Sequence, residues 1–237
     1  MRTERFGELT VRLTGGSDGL GGGDGPLVVL LHGFGAPGTD LVPLARVMDV
    51  PPSTRFAFPE APLELPAGYG GGRAWWMLDM ERLQRAMIAG IPRDLREEQP
   101  EGLAPAREKL TGALDALVSE LGVAEGSLVL GGFSQGAMLS CDQVLHSDRP
   151  LAGLALLSGA YLNREEWAPR FATRAGLPVF QSHGRRDPIL SFEGAEYLRE
   201  AMKEAGWDVR FTAFGGAHEI PMDVLDGLST FIAERVG

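Results

Sequence analysis

A single cysteine, Cys141, is the only thiol among the 237 residues, so no intrachain disulfide can form. No run of about 18 apolar residues occurs either, which excludes a membrane-spanning helix. The opening Met1-Arg2-Thr3-Glu4-Arg5-Phe6 lacks the apolar stretch of a signal peptide, so a cytoplasmic location is expected. Basic side chains are in deficit, with 22 Lys and Arg against 32 Asp and Glu and a net charge of −10. That balance argues against nucleic acid or an anionic membrane surface as a main partner, since both reward clustered cations. Histidine is scarce as well. Only four occur, none in a His-x-x-x-His pair, so no metal site is expected.

What is present is ordinary apolar material, 44% of residues against 23% charged, enough for a sizeable core. Its distribution is informative. Residues 9–13 alternate apolar and polar, as a half-exposed strand does. Short apolar runs at 27–31, 128–130, 154–157 and 178–180 read as strands buried on both faces. Between and after them, residues 40–48, 104–121, 135–145, 192–205 and 222–236 carry helical spacing. Strands alternating with helices predict a single α/β domain over 1–237, with a mostly parallel central sheet flanked by helices on both faces. Residues 15–25, rich in Gly, Ser and Asp, are expected to form a surface loop. Residues 79–105 break the rhythm: a helical piece at 80–89, Ile91-Pro92, a charged patch at 93–98 and Pro100. This segment is expected to be an insertion or cap over the sheet, the alternative being a solvated connector.

Gly132-Phe133-Ser134-Gln135-Gly136 fits the G-x-S-x-G pattern. In a chain with 33 glycines the pattern is weak alone, but it joins the strand at 128–130 directly to the helix beginning at Gln135. A strand running straight into a helix forces a sharp turn that thrusts the serine hydroxyl above the sheet, at the positive end of the helix dipole. Ser134 is therefore the candidate nucleophile, and a serine hydroxyl needs a base to take its proton. Of the histidines, His146 lies in the helix after the turn and is expected at the surface. His32 and His183 end strands and are expected to be packing or turn residues. His218, in Gly215-Gly216-Ala217-His218-Glu219, follows the strand at 209–214 and precedes the last helix, where parallel sheets place their sites. The acid should fall between serine and histidine, and Asp187, after the strand at 178–181, has that place. Its rival Asp208 begins a strand and so lies at the wrong end of the sheet. The oxyanion hole is expected from the backbone N–H groups of Phe34, in His32-Gly33-Phe34-Gly35, and of Gln135.

Trp75, Trp76, Met77 and Leu78 form the densest apolar cluster outside the strands, beside Gly68-Tyr69-Gly70-Gly71-Gly72. They are expected to make a mobile, apolar substrate pocket able to hold an acyl chain, with at least one tryptophan filling the core. Arg185 and Arg186 are expected to be solvated, and Cys141 to be a buried small residue.

These pieces resemble, in order, the phospholipase/carboxylesterase family, which includes acyl-protein thioesterases and small bacterial carboxylesterases. The matching motifs are Leu31-His32-Gly33-Phe34-Gly35, Ala74-Trp75-Trp76-Met77-Leu78-Asp79, Gly132-Phe133-Ser134-Gln135-Gly136, His183-Gly184-Arg185-Arg186-Asp187-Pro188 and Gly216-Ala217-His218-Glu219-Ile220. The resemblance implies an α/β-hydrolase fold, no cofactor, a small-molecule acyl ester as substrate, and a homodimer as a family-level expectation. It also implies that the Trp-containing loop sits beside the acyl pocket. The chain departs from the family at Ala36, where Asp commonly follows the glycine, at Ala137, and in the greater length of 79–105. A thioesterase or lysophospholipase would use the same residues. A hydrolase-fold binding protein would usually lack one of Ser134, Asp187 and His218.

Overall fold

The computed structural model of the protein describes residues 1–66, 71–90 and 94–237, without the side chains of 83, 86 and 87. Ile91, Pro92, Arg93 and most of the glycine-rich stretch 68–72 thus lie outside the described residues. The chain opens with β1 (Arg2–Phe6), β2 (Leu9–Gly16), β3 (Leu20–Gly22), β4 (Leu27–Leu31), α1 (Leu44–Val47) and β5 (Arg55–Pro59). A small hairpin of β6 (Leu63–Glu64) and β7 (Arg73–Ala74) leads to α2 (Met80–Ala89) and α3 (Leu103–Glu120). Then come β8 (Leu128–Phe133), α4 (Gln135–Leu145), β9 (Gly153–Leu157), α5 (Arg164–Trp167) and β10 (Pro178–Gly184). α6 (Phe192–Glu204), β11 (Asp208–Phe214) and α7 (Met222–Val236) complete it.

Among the described residues the main sheet has the order β1-β2-β5-β4-β8-β9-β10-β11, with β3 beside β2. From β5 to β11 every pairing is parallel; β1 and β2 join antiparallel. β4 shows how the sheet builds two cores from one strand. Leu27, Val29 and Leu31 face a cluster with Leu110, Leu114 and Leu117 of α3, Leu139 and Val144 of α4, and Leu198 of α6. Val28 and Leu30 face the other side, toward Val224, Leu225, Leu228 and Phe231 of α7. Side chains alternate across a strand, so a strand covered by helices on both sides must be apolar throughout. This is the mostly parallel sheet covered on both faces that the alternating runs predict, and it agrees with the α/β-hydrolase fold that the family resemblance implies.

The elements differ from the sequence reading in four places. β2 continues to Gly16 and β3 pairs with it, so 15–25 is not simply a loop. Asp18 Oδ1 accepts the N–H groups of Leu20 (2.7 Å) and Gly22 (2.9 Å), folding the connection into a tight turn. The helix expected over 40–48 shrinks to Leu44–Val47. Leu44, Ala45 and Arg46 each bond the carbonyl three residues back, and Pro43 has no N–H to continue a ladder. β1 pairs along its whole length although four of its five residues are polar or charged. β5 is wholly buried despite beginning with arginine: Arg55 donates to the carbonyls of Gly25 (2.7 Å), Gly23 (2.9 Å) and Leu121 (2.6 Å).

Candidate active site

Ser134 stands between β8 and α4 with φ +55° and ψ −115°. A β-carbon makes that region costly, on the order of 1–3 kcal/mol, so neighbours must hold it there. Its N–H donates to the Leu157 carbonyl at 2.8 Å, and its own carbonyl accepts from Met138 at 3.1 Å. Two glycines give the turn room. A β-carbon on Gly132 would lie 2.6 Å from the Leu31 oxygen, and one on Gly136 would collide with that same carbonyl. The serine is thereby fixed at the carboxyl end of the parallel strands.

His218 and Asp187 meet at this edge. His218 Nδ1 lies 2.6 Å from Asp187 Oδ2, and the His218 ring sits 4.7 Å from the Phe133 ring, next to Ser134. Asp187 Oδ1 accepts the N–H groups of Ile189 (2.8 Å) and Leu190 (2.9 Å). Burial alone would raise the Asp187 carboxyl. The polar contacts of the His183 and His218 rings, the electrostatic attraction of His218 and the Leu190 N–H outweigh it and hold the group well below the usual carboxylate range. The two loops are also stitched through the backbone, by Arg185 N–H to Phe214 (2.8 Å) and Arg186 N–H to Gly216 (3.0 Å). Asp208, the rival acid, begins β11, is exposed, and faces Arg235 at 3.9 Å.

The loop carrying Phe34 is braced from three directions. His32 Nε2 accepts the Ala61 N–H at 3.1 Å, so its proton is assigned to Nδ1, which donates to the Gly33 carbonyl at 2.8 Å. Burial lowers the His32 pKa and favours this neutral form. Trp75 Nε1 donates to the His32 carbonyl at 2.9 Å, and Gly35 N–H donates to Arg73 at 2.9 Å. A β-carbon on Gly33 would stand 3.4 Å from the Ser134 β-carbon, so this loop abuts the serine. The Gln135 side chain adds a link that its motif position does not announce. Its Oε1 accepts the Trp75 N–H (2.9 Å) and its Nε2 donates to the Trp76 carbonyl (2.8 Å).

Trp75 and Trp76 are both buried, whereas Met77 is exposed. A cavity of about 340 Å³ opens beside them, with Trp76, Met77, Leu78, Leu95, Met138 and Leu162 as its apolar lining. Met138, one helical turn after Ser134 in α4, links this lining to the helix that the serine opens. Trp75 is not in this lining and braces the loop that carries Phe34 instead. Across the rim, Arg82 of α2 pairs with Glu98 at 3.1 Å.

Arg185 and Arg186 are exposed, and Cys141 is fully buried, its thiol pKa pushed well up by that burial. His146 is not the surface residue expected. Its Nε2 lies 2.8 Å from Glu166 Oε1, and its side chain joins Arg107 and Asp142 in a largely buried polar network. Trp167 Nε1 donates to Asp142 Oδ1 at 2.8 Å within it. Its members come from α3, α4, the residue that ends α4, and α5, so no local sequence window contains them.

The sheet order, the helices on both faces and the positive-φ serine between β8 and α4 define an α/β-hydrolase. Residues 23–236 match the profile of the phospholipase/carboxylesterase family, and the chain belongs to that family. Acyl-protein thioesterase 1 of Neurospora crassa is 26% identical over 217 residues, covering 88% of this chain and 86% of the relative. Acyl-protein thioesterase 1 of Cryptococcus neoformans is 30% identical over 227 residues, covering 88% and 92%. Among solved structures, esterase PE8 superposes with a TM-score of 0.76 at 29% identity, over 94% of this chain and 99% of that one. Arabidopsis thaliana SOBER1 gives 0.73 at 25%, over 90% and 99%. The chain is thus a hydrolase of acyl esters.

Proposed function

We propose that the protein is a serine carboxylesterase for short- to medium-chain acyl esters, with Ser134 as nucleophile, His218 as base and Asp187 as its orienting acid. The observation that carries this reading is the strained Ser134 turn lying beside the His218–Asp187 pair. Asp187 holds Nδ1 of the imidazole, which leaves Nε2 to take the Ser134 proton as Oγ attacks the acyl carbon. The backbone N–H groups of Phe34 and Gln135 stabilise the resulting oxyanion, each worth about 3 kcal/mol of barrier. The carbon–oxygen bond to the alcohol breaks, and the alcohol departs with the proton from Nε2. Water then gives a proton to Nε2 and attacks the acyl-serine; the acid leaves and Oγ recovers its proton.

The acyl chain lies in the cavity bordered by Trp76 and Met77, with Trp75 bracing the loop behind it. Residues 79–105 form the cap of the single domain 1–237, Arg82–Glu98 spanning the cavity rim. Hydrolysis of p-nitrophenyl esters from acetate to palmitate, by wild type and Ser134→Ala, tests the reading. Wild-type turnover should fall by about 10⁴- to 10⁶-fold in the variant. Undiminished turnover in Ser134→Ala would reject the assignment.

A second reading is favoured by the relatives named acyl-protein thioesterase 1. The same residues would then release a thiol, and kcat/KM on matched oxygen and sulfur esters of one acyl chain separates the two.

A further inference from the structure

Asp187 serves two imidazoles, not one. His183, in β10, places its Nε2 3.3 Å from the same Oδ2 that meets His218, and 3.1 Å from the Leu190 carbonyl. A carbonyl can only accept, so the His183 proton resides on Nε2, and the carboxylate oxygen stands 3.3 Å from that same nitrogen, within electrostatic reach of its N–H. Nδ1 of His183 is buried without a partner, which disfavours a proton there. Both side chains have no solvent exposure, and the Phe192 ring stands edge-on at 6.2 Å. The remaining oxygen, Oδ1, is taken by the Ile189 and Leu190 N–H groups.

We propose that His183 is a positioning residue for the hydrolytic reaction: its Nε2–H fixes Asp187 Oδ2 so that the carboxylate presents a single orientation to His218. The inference rests on the proposed roles of Asp187 and His218. Without His183, two N–H bonds to Oδ1 still anchor one side of the carboxylate, but it can pivot about that anchor. A pivot moves Oδ2 and with it the imidazole that must reach the serine. Errors of this kind leave substrate affinity intact and act on the chemical step. His183 lies in the strand and is not among the residues that line the cavity.

The test pairs two polar replacements. His183→Gln keeps an amide N–H at the position of Nε2, whereas the amide of His183→Asn is too short to reach Oδ2. His183→Asn should lose about ten- to a hundredfold in kcat with KM unchanged, and His183→Gln should stay near wild type. The downfield proton signal of the His218–Asp187 hydrogen bond should broaden or vanish in the first and persist in the second. Equal behaviour of the two variants would overturn the proposal. Should neither fold, ¹⁵N-histidine spectra of Ser134→Ala decide it, without any turnover. A proton on Nε2 of His183 supports the assignment, and a proton on Nδ1 ends it. Esterase activity untouched by Ser134→Ala would refute the reading beneath it while leaving the tautomer result legible.

Discussion

Trp75 gives its backbone N–H to the side-chain oxygen of Gln135 at 2.9 Å, across 60 positions of sequence. Gln135 thereby has two separable parts. Its main chain sits at the first turn after Ser134, and its side chain anchors the Trp75-Trp76 segment. Replacing it with leucine leaves the Trp75 N–H and Trp76 carbonyl buried and unpaired, at about 1–3 kcal/mol of stability. The main-chain N–H survives, so kcat on acetate esters should fall less than KM for longer acyl esters rises. Thermal unfolding together with the two kinetic constants checks this.

Asp187 sets a pH signature. Its folded pKa lies below the ordinary value, so its contribution to stability is full above about pH 4 and drains away as the pH falls through the folded value. In the acid range the unfolded chain binds a proton that the folded chain refuses. Asp187→Asn should flatten this part of the decline in urea midpoint between pH 5 and pH 3. Activity at neutral pH should drop about 10⁴-fold, because the amide favours the wrong imidazole tautomer.

Arg107 offsets the burial of Asp142, whose carboxyl burial pushes up despite Arg107, Trp167 and His146. Arg107→Met strands that carboxylate and should cost about 3–5 kcal/mol at pH 8. Raised pKa values reverse the sign: the contribution is full at low pH and lost as the pH rises through the folded value. The penalty should therefore be smaller at pH 5 than at pH 8, as urea unfolding at both would reveal. An equal penalty would mean that Asp142 stays ionised throughout.

Met138 forms part of the cavity lining while its backbone serves Ser134. Met138→Ala should destabilise by about 2–5 kcal/mol and enlarge the cavity without moving that backbone bond. The chain-length optimum for p-nitrophenyl esters should move toward longer acyl groups. An unmoved optimum would place the acyl chain elsewhere.

The sequence was most legible where one strand or one turn carries the message. α4 and α7 begin and end where their spacing says, and β4 matches its apolar run residue for residue. Ser134, His218 and Asp187 could be singled out as candidates because each follows a predicted strand, and the structure sets them at the same end of the sheet. β5 could not: Arg55 opens it and Pro59 closes it, and its burial depends on carbonyls contributed by Gly23 and Leu121. The same limit hid the Gln135 side chain and the His146 network, whose partners lie in distant elements. His183 gave a faint signal, four residues before Asp187, but a histidine ending a strand says nothing about which nitrogen faces a carboxylate.

The opposite rim of the sheet is fastened quite differently from the rim that carries the serine. Arg55 gathers three carbonyls there, Leu27 bonds Ser127 at 3.0 Å, Ala152 bonds Leu128 at 2.8 Å, and Asp208 bonds Leu177 at 3.0 Å. Apart from the Arg55 guanidinium, main-chain groups make all of these ties, and such ties persist through most side-chain replacements. Selection for a new substrate can therefore rework the loops at one end of the strands while the other end keeps the strands in register. For laboratory evolution, libraries confined to the loops that follow the strands should yield a higher share of folded variants than libraries that include Arg55.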